Sequence, residues 1–155
     1  MHTPIVMRPV GVVVGTRKEP TDDDWSQESA EIVLDDAQFS GAALAGVADF
    51  SHVLVLYVMH GVAEGDVEME ARHPRNRADW PKVGIFAQRA KRRPNRIGLA
   101  CCRVLGVEGL RVRVADLDAI DGTPVLDVKP WVREFGPRGD VAQPAWMTEL
   151  MQGYF

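Results

Sequence analysis

Five basic side chains lie within eight residues of this sequence, from Arg89 to Arg96, between two apolar segments. Guanidinium groups bind phosphate oxygens through paired hydrogen bonds, and neutralising several phosphates of a nucleic acid releases its counterions. The spacing therefore indicates a phosphate-binding loop, which we favour over a basic turn that only keeps the protein in solution. The bases that would face phosphates are Lys91, Arg92, Arg93 and Arg96.

Charge is strongly segregated along the chain. Residues 72–96 contain nine Lys and Arg side chains and one acid, Asp79, so this segment has a formal charge of +8. The rest of the chain contains nine bases and 21 acids, which is −12, and the formal net charge of −4 hides this division. An acidic protein with one concentrated basic segment remains compatible with a nucleic-acid partner.

A second polar cluster occupies residues 115–130. The sequence Asp121-Gly-Thr-Pro is typical of a turn. Asp can hydrogen-bond to its local backbone, Gly accepts positive φ, and Pro restricts the backbone where the chain leaves the turn. The turn does not explain the other charged residues nearby, which are Asp116, Asp118, Asp127 and Lys129. These carboxylates could hold ribose hydroxyls or a cationic ligand, or they could form salt bridges with Arg89 and Lys129, and both interpretations stay open.

Several other chemistries lack a motif. No HxH or HxxxH spacing occurs and the only cysteines are the adjacent Cys101 and Cys102, so no metal site is expected. No GxSxG elbow and no GxGxxG after the first strand is present, which argues against a serine hydrolase and a dinucleotide site. On a strand the two thiols would point to opposite faces and remain reduced. His60, at the end of an apolar strand, could line a pocket.

The elements that must position these residues are mostly short β-strands. Apolar runs predict strands over 10–15, 31–34, 50–59, 82–87, 97–107, 110–115 and 123–128. Residues 108–109 form a turn between alternating segments, which is typical of a hairpin. A short helix is predicted over 144–151, and the polar stretch 16–29 is expected to be an exposed, mobile loop. Without a βαβ rhythm, this pattern favours an antiparallel barrel or sandwich.

Composition is that of an ordinary globular protein, with 46% apolar and 26% charged residues over 155 positions. The longest continuous apolar run, 53–59, is far shorter than the roughly 20 residues that a spanning helix needs. The first residues do not resemble a secretory signal. We therefore expect one domain over residues 1–155 in a soluble, cytoplasmic protein without membrane contact.

Three blocks of the sequence resemble the signature of a known family. They are Lys82-Val-Gly-Ile-Phe-Ala-Gln-Arg89, Arg93-Pro-Asn-Arg-Ile-Gly-Leu99, and the segment from Asp116 to Trp131 that contains Asp-Gly-Thr-Pro. With Phe50-Ser-His-Val-Leu54, they are similar to the TsaA-like (YaeB, VirR) family, whose characterised bacterial member is a tRNA methyltransferase. The resemblance covers about residues 8–135 and leaves 136–155 as a C-terminal tail with a short helix.

The resemblance implies a mainly β protein, a small closed antiparallel β-barrel with minor helices that forms a homodimer. It implies binding of S-adenosylmethionine partly across the dimer interface, and methylation of N6 of threonylcarbamoyladenosine beside the anticodon of tRNA. The cofactor contacts carried over by motif are His60, Arg89, Leu99, Ala115, Asp116, Leu117 and Asp118.

Roles follow from this assignment by chemistry. Arg89 would hold a carboxylate of the cofactor or substrate, and Asp116 or Asp118 would bind the ribose or the adenine edge. As catalytic residues, Asp121 and Lys129 would orient the target nucleotide. The basic residues 91–96 would bind phosphates of the anticodon stem.

Two positions depart from the family pattern. The loop after the first strand, Thr16 to Trp25, lacks the Pro-Arg-Gln block that family members typically carry and that is implicated in their cofactor site. The usual Arg-Pro-Asn-Pro has become Arg93-Pro-Asn-Arg96. Two other functions therefore remain open. One is a non-catalytic module that binds S-adenosylmethionine or RNA, and the other is a methyltransferase for a small metabolite whose basic segment engages a protein.

Overall fold

A closed barrel of six antiparallel strands forms the body of the protein in a computed structural model that describes residues 2–155. The strands of the chain are β1 (Gly11–Val14), β2 (Ser29–Leu34), β3 (His52–Val58), β4 (Ala71–Arg72), β5 (Val83–Gly84), β6 (Ile97–Glu108), β7 (Arg111–Ala115) and β8 (Pro124–Pro130). Around the barrel the order is β1-β2-β7-β6-β3-β8, and β8 pairs again with β1. Strands β4 and β5 form a separate two-stranded sheet.

The helices are short. One α-helix, α1, spans Ala145–Leu150, and Pro144 precedes it as expected for a helix start. Single 3₁₀ turns span Trp25–Gln27, Gly41–Leu44, Val47–Asp49, Glu64–Asp66, Pro74–Asn76, Ile85–Ala87, Pro94–Arg96 and Arg133–Phe135. The predicted fold class, a closed antiparallel barrel with minor helices, is confirmed. No helix within residues 2–155 is long and apolar enough to cross a membrane.

Alternation along the strands places the core inside the barrel. In β3, Val53, Val55 and Tyr57 are buried, while the residues between them point outward and remain partly exposed. The adjacent cysteines of β6 follow the same period of two, so Cys101 is exposed and Cys102 is buried, and both are free thiols as predicted. Burial is the largest cause of the raised pKa of each thiol, which keeps both protonated and poorly nucleophilic.

The predicted hairpin is confirmed between β6 and β7. Glu108 pairs with Arg111 across a turn in which Gly109 has φ of +58°, a conformation that favours glycine. Further along the ladder, the register shifts between Val104 and Gly106, which marks a bulge in β6. A bulge bends the strand locally and so helps a long strand to follow the curve of the barrel.

The predicted strand over 82–87 is only partly right. It ends at Gly84, and the chain then turns through a 3₁₀ helix that places Ile85 in the interior. The buried side chain of Gln88 donates from Nε2 to the carbonyls of Arg72 and Val83, at 3.1 and 2.9 Å. This amide therefore cross-links the two-stranded sheet at the point where the next motif residue, Arg89, begins.

The predicted mobile loop over 16–29 is instead packed around one arginine. The guanidinium of Arg17 donates to Glu28 at 3.0 Å and to the carbonyls of Asp23 and Asp24 at 2.9 and 2.8 Å. It also lies 4.0 Å from the centre of the Trp25 ring, which is buried. Most residues of the loop are exposed, as predicted, and Trp25 is its one buried side chain. The interactions of Arg17 hold the loop in place, which polar composition alone did not predict.

Candidate functional site

One end of the barrel brings together residues from separate motif blocks. The hydroxyl of Tyr57, at the end of β3, donates to the Asp118 carboxylate at 2.8 Å and contacts the Asp118 carbonyl oxygen at 3.0 Å. Arg89 donates from Nη2 to the carbonyl of Leu99 at 2.5 Å. Leu99 follows Gly98, the partner of Tyr57 in the β3–β6 ladder, so this hydrogen bond brings the Arg89 guanidinium to the same end of the barrel.

A second tyrosine completes the cluster from the end of the chain. Tyr154 donates its hydroxyl to the other oxygen of Asp118 at 2.5 Å. Burial is the largest cause of the raised pKa of both Tyr57 and Tyr154, and the negative charge of Asp118 adds to it. Both phenols therefore stay protonated at neutral pH and act as hydrogen-bond donors.

The segment between Ala115 and Asp121 forms the floor of this barrel end. Asp116 has φ of +65°, in the left-handed region, and its carboxylate accepts from Arg103 Nε at 2.8 Å. The side chains of Leu117 and Ala119 are buried on either side of Asp118. Alternation thus points the two apolar side chains inward and holds Asp118 at the edge, next to the tyrosines.

The Asp-Gly-Thr-Pro turn ties this segment to the first loop. Asp121 Oδ1 accepts from the Gly15 amide at 2.8 Å, and the Asp121 amide donates to the Arg17 carbonyl at 2.8 Å. Gly122 has φ of +82° and its amide donates to Val13. Turn chemistry therefore accounts for Asp121 in this structure, and the turn closes the barrel between β1 and β8.

The two residues predicted to orient the nucleotide are far apart in one chain. Asp121 lies before the start of β8, and Lys129 lies near its end, where it pairs with Asp127 at 2.7 Å. Lys129 lies five residues further along the strand than Pro124, which corresponds to roughly 17 Å. A single copy of the chain therefore does not bring Asp121 and Lys129 to the same point.

The predicted cofactor residues are distributed unevenly. Arg89, Leu99 and Asp118 lie at the same barrel end, and His60 is exposed in the turn that follows β3. The side chains of Ala115 and Leu117 are buried in the barrel, so a ligand would meet only their backbone groups. Sequence analysis identified neither tyrosine, because Tyr57 sits in an apolar strand and Tyr154 lies in the tail beyond every motif.

The four predicted RNA-binding residues divide into two pairs. Lys91 and Arg92 are exposed. Arg93 donates to the Gln88 carbonyl at 2.8 Å, and Arg96 donates to the Val62 carbonyl at 2.6 Å, so these two brace the loop. Two left-handed residues, Asn95 and Arg96, shape its turn.

Two further bases of the basic segment, Arg75 and Arg77, form internal contacts. Arg75 forms a salt bridge with Asp23 of the first loop at 2.8 Å. Arg77 lies 4.0 Å from the Trp80 ring centre, pairs with Asp79 and reaches Glu149 of α1 at 3.5 Å. The sequence alone left these bases without a role, because Asp23 and Glu149 lie in distant parts of the chain.

Comparisons with known proteins point to one family. Residues 15–136 match the model described as the tRNA-methyltransferase O N-terminal domain. The chain is 34% identical over 122 residues to a Mus musculus protein named tRNA (adenine(37)-N6)-methyltransferase, which covers 79% of this chain and 28% of that protein. It is 36% identical over 139 residues to a probable S-adenosyl-L-methionine-binding protein of Methanothermobacter thermautotrophicus, covering 87% of this chain and 96% of that protein.

A solved structure shares the fold. The crystal structure of TrmO from Pseudomonas aeruginosa superposes with a TM-score of 0.72 at 26% identity, covering 90% of this chain and 62% of that chain. The chain thus spans less than a third of the mouse relative but nearly the whole archaeal one.

Proposed function

Because the chain belongs to the tRNA-methyltransferase O family, whose N-terminal-domain model matches residues 15–136, we propose that it is an S-adenosylmethionine-dependent tRNA methyltransferase. Its target is N6 of the threonylcarbamoyladenosine beside the anticodon. The observation that carries this proposal is the convergence of Arg89, Leu99 and Asp118, from separate motif blocks, at one end of the barrel. Relatives named as tRNA (adenine(37)-N6)-methyltransferases support the substrate and the position of the methyl group.

The side chains at this end of the barrel fit the proposed cofactor. Among residues 2–155, Arg89 makes one hydrogen bond, so most of its N–H groups remain to bind the carboxylate of the methionine part. Asp116 and Asp118 offer acceptors for ribose hydroxyls, because each carboxylate oxygen accepts more than one hydrogen bond. Leu99 is 41% exposed and offers an apolar surface for the adenine or the methyl group. His60 lies in the exposed turn after β3.

When bound, the cofactor supplies an electrophilic methyl group on a sulfonium, and most of the remaining work is orientation. The chain holds the target N6 in line with that methyl group, which removes much of the entropic barrier of a reaction between two molecules. Asp121 and Lys129 are proposed to orient the nucleotide. Since they lie at opposite ends of β8, a nucleotide held by both would lie between two copies of the chain.

We assign tRNA phosphates to the exposed pair Lys91 and Arg92. The guanidinium groups of Arg93 and Arg96 each donate a hydrogen bond to a backbone carbonyl. These two bonds fix the loop that carries the exposed pair. Two or more phosphate contacts would make tRNA binding sensitive to salt. We also propose that the protein acts in the cytoplasm, where it would meet its tRNA substrate.

A homodimer is supported by the outer face of β3 and β6. Leu54, Leu56, Leu99 and Leu105 point out of the barrel there, and Leu99 and Leu105 are each 41% exposed. Phe135 lies 85% exposed beside a shallow pocket of about 320 Å³ that Leu54, Trp131 and other residues line. The exposed Arg103 lies between Leu99 and Leu105 on β6, so the apolar side chains are not continuous along this strand. Several large exposed apolar side chains on one side of a charged protein are typical of an interaction surface, and a second copy is the partner we propose.

The test is methyl transfer from labelled S-adenosylmethionine to tRNA isolated from a strain that lacks this protein. We expect N6-methylated threonylcarbamoyladenosine by mass spectrometry of the nucleosides, and no product with the Arg89→Ala variant. Binding of cofactor and tRNA without product would instead identify a non-catalytic module. If the chain methylates a small metabolite and its retention on tRNA does not change with salt, it is a small-metabolite methyltransferase whose basic segment engages a protein.

A further inference from the structure

The C-terminal tail, residues 136–155, lies almost wholly beyond the part of the chain that matches the family model, yet it returns to the candidate site. Its helix docks on the basic segment, where Trp80 Nε1 donates to Glu149 at 3.0 Å and Arg77 approaches the same carboxylate at 3.5 Å. Trp80 is buried, so this contact fixes the helix of the tail on the body of the protein.

The end of the tail then binds the first loop through its backbone. The Asp24 amide donates to the Gly153 carbonyl at 3.0 Å, and the Trp25 amide donates to the Tyr154 carbonyl at 2.8 Å. This loop is the one that departs from the family pattern, because it lacks the Pro-Arg-Gln block. In this chain the first loop and the tail therefore stabilise each other's position through these two hydrogen bonds.

These contacts place the Tyr154 side chain against Asp118. Tyr154 donates to Oδ2 at 2.5 Å and Tyr57 donates to Oδ1 at 2.8 Å, so both carboxylate oxygens are held from opposite sides. Hydrogen bonds to an ionised carboxylate are among the stronger ones in proteins. Two rigid phenols from separate elements leave this carboxylate, and the backbone that bears it, little freedom to move.

We propose that the tail is a working part of the cofactor site and that Tyr154 is a positioning residue. It holds Asp118 and the floor segment 116–121 in the arrangement that receives S-adenosylmethionine, and it does so together with the loop 16–25. The inference rests on the proposed function, because it concerns the affinity of the same site. It adds a residue that lies outside the matched residues 15–136.

Thermodynamic linkage gives the proposal a reciprocal consequence. If tail docking strengthens cofactor binding by some factor, cofactor binding must strengthen tail docking by the same factor. The amides of Asp24 and Trp25 report tail docking directly, because their acceptors are the carbonyls of Gly153 and Tyr154. Cofactor should therefore slow hydrogen exchange at these two amides in the wild-type chain.

The experiment compares Tyr154→Phe with Gln152→Ala, an exposed tail position, in the full chain. We expect Tyr154→Phe to weaken S-adenosylmethionine binding, measured by calorimetry, by at least about fivefold. It should also reduce the cofactor-dependent protection of the Asp24 and Trp25 amides. Gln152→Ala should match the wild type in both measurements. A purely structural role for Tyr154 would lower the melting temperature and leave the Kd of the folded fraction unchanged.

The outcomes separate the two proposals. If the wild type binds cofactor and Tyr154→Phe binds it equally well, the role of the tail is overturned and the proposed function stands. If cofactor binds the wild type but leaves exchange at the two amides unchanged, the role of the tail is likewise overturned. A wild-type chain that binds no cofactor overturns the proposed function itself.

Discussion

The ring of Tyr57 lies directly on Gly98 of the neighbouring strand. The two residues are partners in the β3–β6 register, and a Cβ at residue 98 would fall 2.3 Å from two ring carbons. Only a residue without a side chain leaves room for the ring. The glycine of the Arg93–Leu99 motif block thereby lets the Tyr57 hydroxyl reach Asp118 at the candidate site.

The first prediction tests this packing with Gly98→Ala. The added methyl group must displace a buried ring, so we expect a loss of about 2 kcal/mol in the free energy of unfolding, measured with denaturant. Gly84→Ala is the control, because nothing lies within 4 Å of a Cβ at that position. The double variant Gly98→Ala/Tyr57→Ala should lose less free energy of unfolding than the two single variants lose together. Equal stability of the Gly98→Ala and Gly84→Ala variants would contradict the contact.

The second prediction concerns the guanidinium fork of Arg89. Arg89→Lys keeps the charge but loses the paired donors that suit a carboxylate, so calorimetry should show S-adenosylmethionine binding weakened by about tenfold. The control Arg113→Lys changes an exposed arginine on β7 and should bind as the wild type does. If Arg89→Lys binds S-adenosylmethionine as tightly as the wild type does, a positive charge is sufficient for binding and the paired donors of the guanidinium are not needed.

The third prediction separates bases that face solvent from bases that brace the loop. The double variant Lys91→Ala/Arg92→Ala should weaken tRNA binding and reduce the slope of log affinity against log salt by roughly two. Removing two exposed bases elsewhere, with Lys18→Ala/Arg113→Ala, should leave that slope unchanged. If both double variants lower the slope equally, tRNA binding is governed by overall charge rather than by the loop.

A fourth prediction follows from the only two tyrosines of the chain, Tyr57 and Tyr154. Burial, and then Asp118, raises the pKa of both above the ordinary value of about 10. Any stability that depends on these raised pKa values is fully present below about pH 10, and it is lost as pH rises further. Phenolate absorbance should therefore appear together with unfolding seen by circular dichroism. A phenol that titrates near pH 10 in the folded protein would contradict this.

The fifth prediction concerns the apolar outer face of the barrel. Leu105→Asp should shift the chain from dimer to monomer in sedimentation experiments, because a desolvated charge opposes association. Val141→Asp places the same charge at a 73% exposed apolar position in the tail and should leave the dimer intact. A wild-type chain that is monomeric at high concentration would remove the proposed interface.

Most of the strands could be predicted because their signal is local. Alternating side chains predicted β7, and a nearly continuous apolar run predicted β3, and both strands formed at those places. The apolar run suggested that both faces of β3 would be covered, but its side chains are buried on one face only. The predicted strand over 82–87 was too long, because apolar residues such as Ile85 and Phe86 occur both in strands and in 3₁₀ turns. Only the packing of Ile85 inside the protein and the Gln88 cross-link decided that the strand ends at Gly84.

The sequence by itself determined the motif blocks, because motif identity is read directly from residue type and spacing. The resemblance of these blocks to a known family made Arg89, Leu99 and Asp118 candidates for one site before their positions were known. Which partners they meet was decided by the tertiary structure alone, since hydrogen bonds and salt bridges form between residues distant in the chain. Tyr154 meets Asp118 across 36 positions. Closure of the barrel, in which β8 returns to β1, and docking of the tail bring such pairs together.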